Sequence, residues 1–177
     1  MPVDHLYGGP ILGRHLLEQG FADQDVVVVS PDVAGVSRAK RLGEMLHKPF
    51  VVIAKRRPAP NEVEVVEIVG DFKGKKCIII DDMIDTGGSV ASGARELLNR
   101  GATEVIATCT HPVFSNNAVQ RLVGAGISQV ISLDTIPIPE EQRLKELTVL
   151  PSAPLIGEAM RRIHLNESVS ELFHDWN

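Results

Sequence analysis

The chain has 177 residues, 44% of them apolar, which at ~100–200 residues per domain makes one globular unit whose core needs no disulfide or metal to hold it. Its 18 Lys and Arg against 23 Asp and Glu give a net charge of -5, which excludes disorder through charge excess and argues against a broad duplex nucleic-acid surface. No apolar run approaches the ~20 residues that cross a bilayer, and residues 1–5 carry neither a basic leader nor an apolar signal core, so a cytoplasmic protein without membrane attachment is expected.

In chain order, Pro10 opens a helical stripe over residues 11–19. A continuous β-branched run follows at 25–30, then a helical segment at 36–47 and a second apolar run at 50–54. Lys55, Arg56 and Arg57 come next, ahead of Pro58 and Pro60, which stop the strand from continuing. Residues 62–68 alternate charge with Val, as a half-exposed edge strand or hairpin arm does. Further apolar runs stand at 77–80, 105–110 and 130–133. Between them Val90, Ala94, Leu97 and Leu98 form a helical stripe closed by Gly101, and residues 117–123 form another. Ile156, Ala159, Met160 and Ile163 repeat the stripe near the end. Cys77 and Cys109 lie inside apolar runs and read as reduced core residues.

Strands that are apolar without alternation are buried on both faces, which belongs to a parallel sheet covered by helices. The regular order of strand and helix therefore gives a single α/β domain over residues 1–177, with a mostly parallel twisted sheet, helices on both faces and an edge arm near 62–68.

The stretch Asp81-Asp82-Met83-Ile84-Asp85-Thr86-Gly87-Gly88-Ser89 carries the most chemistry. A buried strand delivers two carboxylates to the carboxyl edge of the sheet, where open α/β folds bind ligands. Gly87 and Gly88 then let backbone approach a ligand closely, and Thr86 and Ser89 add hydroxyls at the positive end of the next helix. That is a cradle for a monophosphate. Asp81 and Asp82 are acceptors suited to sugar hydroxyls or magnesium-bound water. An ordinary strand-to-helix turn capped by Ser89 is the alternative for the glycine segment alone. Asp32, at the end of the run 25–30, reads either as a carboxylate for magnesium through water or a sugar hydroxyl, or as a cap for the helix that follows. His111, just past a strand, reads more simply as a core or edge histidine, and Asp134 and Thr135 end another strand on the same edge.

The stretch from Cys77 to Ser89 resembles the signature of the phosphoribosyltransferase fold, in which the acidic pair holds ribose hydroxyls and the turn holds the 5-phosphate. Four more segments resemble ribose-phosphate diphosphokinases: Pro2 to Tyr7, Ser30 to Ala39, Lys55 to Asn61, and Thr110 to Ser115. That family usually has two glycines where Ala34 and Gly35 stand. The resemblance runs from Pro2 to Phe173 and matches the C-terminal half of chains built from two similar halves. It implies a type I phosphoribosyltransferase-like fold and transfer of diphosphate from Mg-ATP to the 1-hydroxyl of ribose 5-phosphate. By that resemblance Asp81, Asp82, Asp85, Thr86, Gly87, Gly88 and Ser89 bind ribose 5-phosphate, Lys55 and Arg57 lie in a catalytic loop, and Asp32 assists Mg2+. Ser168 and Ser170 fall in a segment resembling the family's allosteric phosphate site. A homo-oligomer is implied, with most of the ATP site outside these residues and little or no turnover by the chain alone. Two rivals remain: a phosphoribosyltransferase that consumes the diphosphate, and a non-catalytic regulatory subunit.

Overall fold

The computed structural model describes residues 3–56 and 65–172, with residues 55, 56, 65 and 66 described by their backbone. The first helix, α1 (Gly9–Glu18), has Pro10 in its first turn, where the missing N–H costs nothing. The first strand, β1 (Val26–Ser30), is buried along its whole length and leads into α2 (Val36–Leu46). Next come β2 (Phe50–Arg56) and β3 (Val65–Val69). The chain then runs through β4 (Lys76–Ile84), α3 (Gly88–Asn99), β5 (Glu104–Pro112), α4 (Ala118–Gly124) and β6 (Gln129–Leu133). It ends in β7 (Leu147–Leu150) and α5 (Ala153–His164).

Among the described residues these strands form one seven-stranded sheet in the order β3-β2-β1-β4-β5-β6-β7. All neighbours are parallel except β2 and β3, which pair antiparallel with Ile53 opposite Ile68. The expected edge arm is therefore present as β3; residues 62–64 lie outside the described residues. Strand alternation sorts the core into two layers. Val26, Val28, Ile78, Ile80, Ile106 and Ile131 pack against Leu12 and Leu16 of α1 and Ala39, Leu42 and Leu46 of α2. Val27, Val29, Cys77, Ile79, Val105 and Ala107 pack on the opposite face against Val90, Ala94 and Leu97 of α3 and Leu122 of α4. Each fully buried Ile or Leu contributes about 1.5–3 kcal/mol, so residues buried on both faces anchor β1, β4 and β5 at the sheet centre. Both cysteines are buried free thiols, and burial pushes each up to about 12.

Two elements depart from the sequence reading. Strand β7 is a short edge strand whose residues are half-buried or exposed, so it lacks the continuous apolar run that marks a central strand. The stripe on α5 packs only Ala159 inside, leaving Ile156, Met160 and Ile163 exposed.

The order of the strands fixes where a ligand belongs. From β1 the chain crosses by α2 to β2 on one side, and from β4 by α3 to β5 on the other. Adjacent strands whose connections diverge leave a crevice at their carboxyl ends, here between β1 and β4.

Candidate functional site

Each of the two loops flanking this crevice brings carboxylates to it. After β1, the Asp32 carboxylate accepts the Gly35 N–H at 2.9 Å, while the Ser30 hydroxyl donates to the Asp32 carbonyl at 2.6 Å. This folds the β1–α2 turn tightly. A Cβ at position 35 would stand 2.8 Å from Ser30 Oγ and 3.1 Å from an Arg38 nitrogen, so a side chain there would displace one of these two groups. Ala34 is exposed beside it.

Strand β4 continues through both acids to Ile84, two turns of the pleat beyond the apolar run. Consecutive residues on a strand point to opposite faces, and the acids follow that rule. Asp81 lines a hollow of about 150 Å3 shared with Asp85, Thr86, Gly87, Gly88 and Ser89. Asp82 lines a second hollow of about 220 Å3, together with His5, Tyr7, Arg38, Arg41 and His111. The guanidinium of Arg38, in the first turn of α2, bridges them: it lies 3.0 Å from Asp81 Oδ1 and 3.1 Å from Asp82 Oδ2. The Asp82 N–H also donates to Asp81 Oδ1 and the Met83 N–H to Asp82 Oδ1. Burial raises Asp81 to about 6, opposed by the Asp82 amide and the charge of Arg38. Asp82 is more exposed, and although burial is the largest influence on it, Arg38 and the neighbouring donors together lower its value. Asp81 is thus the later of the two acids to ionise.

The glycine segment forms the other wall. Gly87 sits in the left-handed region at φ 70° and is the N-cap of α3, with no side chain capping the helix. Ser89 is consequently not the cap, and the ordinary-turn alternative loses its main feature. The Ala91 N–H is the first to find the Gly87 carbonyl, so the amides of the first turn face outward at the positive end of a 12-residue helix. From α4, Arg121 donates to the Thr86 carbonyl at 2.9 Å and pins the turn.

The other expected residues fall in different places. Lys55 lies on β2, beside the crevice strand β1, and Arg57 lies outside the described residues. Ser168 and Ser170 bond each other at 2.5 Å against α5, and Arg162 binds both the Ser168 carbonyl and Glu171. They belong to neither hollow. Asp134 accepts two bonds from Ser152 at the start of α5, and Thr135 donates to the Thr110 carbonyl while its hydroxyl oxygen lies 2.9 Å from His111 Nδ1. These are latches between strand ends. Arg38 is the site residue that the sequence reading did not single out; an Arg three residues into a helix carries no local mark of the acids it meets 43 residues later.

Among the described residues no group of three or more His, Cys, Asp or Glu could cage a metal. The carboxylates present fit magnesium in its usual mode, in which one or two carboxylates and substrate oxygens complete a largely hydrated ion. No helix of the described residues is long and apolar enough to cross a membrane.

A family profile described as the phosphoribosyl synthetase-associated domain matches residues 49–174. A ribose-phosphate pyrophosphokinase of Clostridium acetobutylicum is 47% identical over 175 residues, covering 99% of this chain and 55% of that protein. The crystal structure of phosphoribosylpyrophosphate synthetase from Mycobacterium smegmatis superposes with a TM-score of 0.85 at 41% identity, covering 93% of this chain and 53% of that one. Orotate phosphoribosyltransferase from Aeropyrum pernix, with a TM-score of 0.54 at 19% identity over 86% of this chain and 74% of its own, shares the fold. The fold is thus phosphoribosyltransferase-like, and the chain spans about half the length of the curated relatives it matches.

Proposed function

The chain belongs to the phosphoribosyl synthetase-associated domain family, and from that premise we propose that it is the ribose 5-phosphate-binding half of a ribose-phosphate diphosphokinase. The observation that carries this reading is the meeting, at the β1–β4 crevice, of an uncapped helix start and an anionic acid pair. A phosphate needs the first and repels the second, whereas a sugar diol needs the second. A pentose phosphate lying across the end of β4 uses both.

In this reading the turn from Asp85 to Ser89 seats the 5-phosphate on the first amides of α3, aided by the Thr86 and Ser89 hydroxyls. Asp81 and Asp82, one on each side of the strand end, accept the 2- and 3-hydroxyls. The sugar's 1-oxygen attacks the β-phosphorus of ATP, the bond from that phosphorus to the α-bridging oxygen breaks, and AMP leaves with the electron pair. The 1-hydroxyl proton passes to solvent. Such transfer is governed by alignment and charge neutralisation, so no covalent nucleophile is required. Lys55 and Arg57 neutralise the transferring phosphate. Magnesium, when bound with ATP, supplies charge neutralisation on the phosphate oxygens, and Asp32 would hold it through water. An anion at Ser168 and Ser170 would have to open their mutual hydrogen bond, and the exposed stripe of α5 supports self-association.

Most of the ATP site is proposed to lie outside this chain. The pure chain given ribose 5-phosphate and Mg-ATP is therefore expected to release AMP at or near the uncatalysed rate, measured in a coupled AMP assay. Sustained AMP release would contradict the division of the site. Consumption of added phosphoribosyl diphosphate with a purine or pyrimidine, without AMP, would favour the transferase instead. An effect on a full-length synthase that survives Lys55→Ala would favour the regulatory subunit.

A further inference from the structure

Four carboxylate oxygens meet at the end of β4, and their bonds distribute unevenly. Asp81 Oδ1 takes Arg38 and the Asp82 amide, Asp82 Oδ2 takes Arg38, and Asp82 Oδ1 takes the Met83 amide. Asp81 Oδ2 has no partner among these groups. Two adjacent carboxylates, one with 18% of its side chain exposed, repel each other and resist ionisation unless a cation spans them. Arg38 does so with a planar fork whose two nitrogens reach one acid each, a geometry that a lysine point charge cannot reproduce.

We infer that Arg38 is a positioning residue for the sugar site: it holds Asp81 and Asp82 as one anionic unit and turns the remaining acceptor sites outward for vicinal hydroxyls. The inference rests on the reading of the acid pair as a diol grip. Arg38 reaches the pair from α2, whose first turn begins at Gly35; its own N–H bonds the Gly35 carbonyl, and Asp32 holds the Gly35 amide. One rigid turn therefore ties the β1–α2 loop to the acids of β4. Among the described residues, the groups facing Asp81 are Arg38 from α2, Asp82 on its own strand and, in the same hollow, Asp85. From β5, the register partner of Asp81, Cys109, keeps its proton at neutral pH, and His111 stands opposite Met83. Asp32 on the β1 loop adds a further carboxylate to the crevice.

The test compares the wild-type chain with Arg38→Met and Arg38→Lys in two measurements. The first is a ligand-free titration of Asp carboxyl carbons by NMR. The second is calorimetry with ribose 5-phosphate at several pH values. Arg38→Met is expected to raise the Asp81 midpoint by about 1–3 pH units, the usual effect of losing a contacting Arg. At neutral pH it should weaken ribose 5-phosphate binding about 10-fold, a loss recovered as pH rises and the carboxyl ionises. Arg38→Lys should regain part of both. A merely structural Arg38 would lower the melting temperature and leave the Asp81 midpoint and the pH profile of binding where they were, and that result overturns the inference. Should Arg38→Met fail to fold, Arg38→Lys decides by the same midpoint: an unchanged value overturns, a raised one supports. A wild-type chain that ignores ribose 5-phosphate would overturn the sugar-site reading itself, and a midpoint unmoved in the same variants would separately remove the clamp.

Discussion

Asp81→Asn is expected to cost the chain about 10–100-fold in affinity for ribose 5-phosphate, the loss of a charge-assisted hydrogen bond to a sugar hydroxyl, while raising its melting temperature. The second half of that result follows from the burial of Asp81. Its folded value of about 6 lies above the ordinary carboxylate 3.8, so folding disfavours the ionised form. The wild type keeps its full stability below the unfolded value and loses this part of it as pH rises through about 6. The Asn variant has no charge to bury, and its Oδ1 still accepts the Asp82 amide. The gap between the two melting curves should therefore open between about pH 4 and 6 and stay constant above, with each kcal/mol worth about 2–4 °C at this chain length. A stabilised protein that no longer grips sugar is the signature of a site held ready at the expense of the fold. Melting temperatures that fall in the variant at neutral pH would mean that ionised Asp81 stabilises the chain, and would remove the argument.

Gly88→Val is the second large effect, and its value lies in the contrast with Gly87→Ala. A Cβ at Gly88 meets nothing nearer than Thr86 Oγ1 at 3.6 Å, so a side chain can start there without striking a neighbouring element. The space there is the hollow proposed to take the phosphate. Gly88→Val should melt within a degree or so of the wild type, as substitutions clear of packing do, and bind ribose 5-phosphate about 10–100-fold more weakly. Gly87→Ala does the reverse. At φ 70° an L-residue pays about 1–2 kcal/mol, so stability falls first, although its methyl would make only an ordinary contact with the Ala118 carbonyl at 3.4 Å. Thermal melts paired with calorimetry separate the two. Equal losses of stability in both variants would place Gly88 in the packing of the turn.

Much of the sheet was legible because its information is local. The runs at 25–30, 77–80 and 105–110 are apolar without alternation and became the central strands β1, β4 and β5, while the charged alternation at 62–68 marked the edge strand β3. Leu147–Leu150 was missed for the complementary reason: an edge strand paired on one side and half-exposed needs no apolar run. The same holds in the site. Asp81 and the glycine turn announce themselves by order along the chain, strand end followed by helix start. Arg38 does not, because its partners are set by the parallel pairing of β1 with β4 and by which face α2 covers. Nor could spacing tell that adjacent acids would serve two hollows on opposite sides of one strand; only the strand's continuation through Ile84 decides it. The stripe on α5 illustrates the remaining limit, since periodicity marks an apolar face without stating what covers it.

The central claim is that one crevice binds both ends of the same pentose phosphate. It is tested most directly by calorimetry of the wild-type chain with three ligands: ribose 5-phosphate, ribose and inorganic phosphate. Joining two weak contacts in one rigid molecule raises affinity by about 100-fold or more over either part alone, so ribose 5-phosphate should exceed both by at least that factor. Asp81→Asn should reduce its binding toward that of inorganic phosphate, and Gly88→Val toward that of ribose. Ribose 5-phosphate that binds no tighter than inorganic phosphate, with a heat indifferent to Asp81→Asn, would contradict the account.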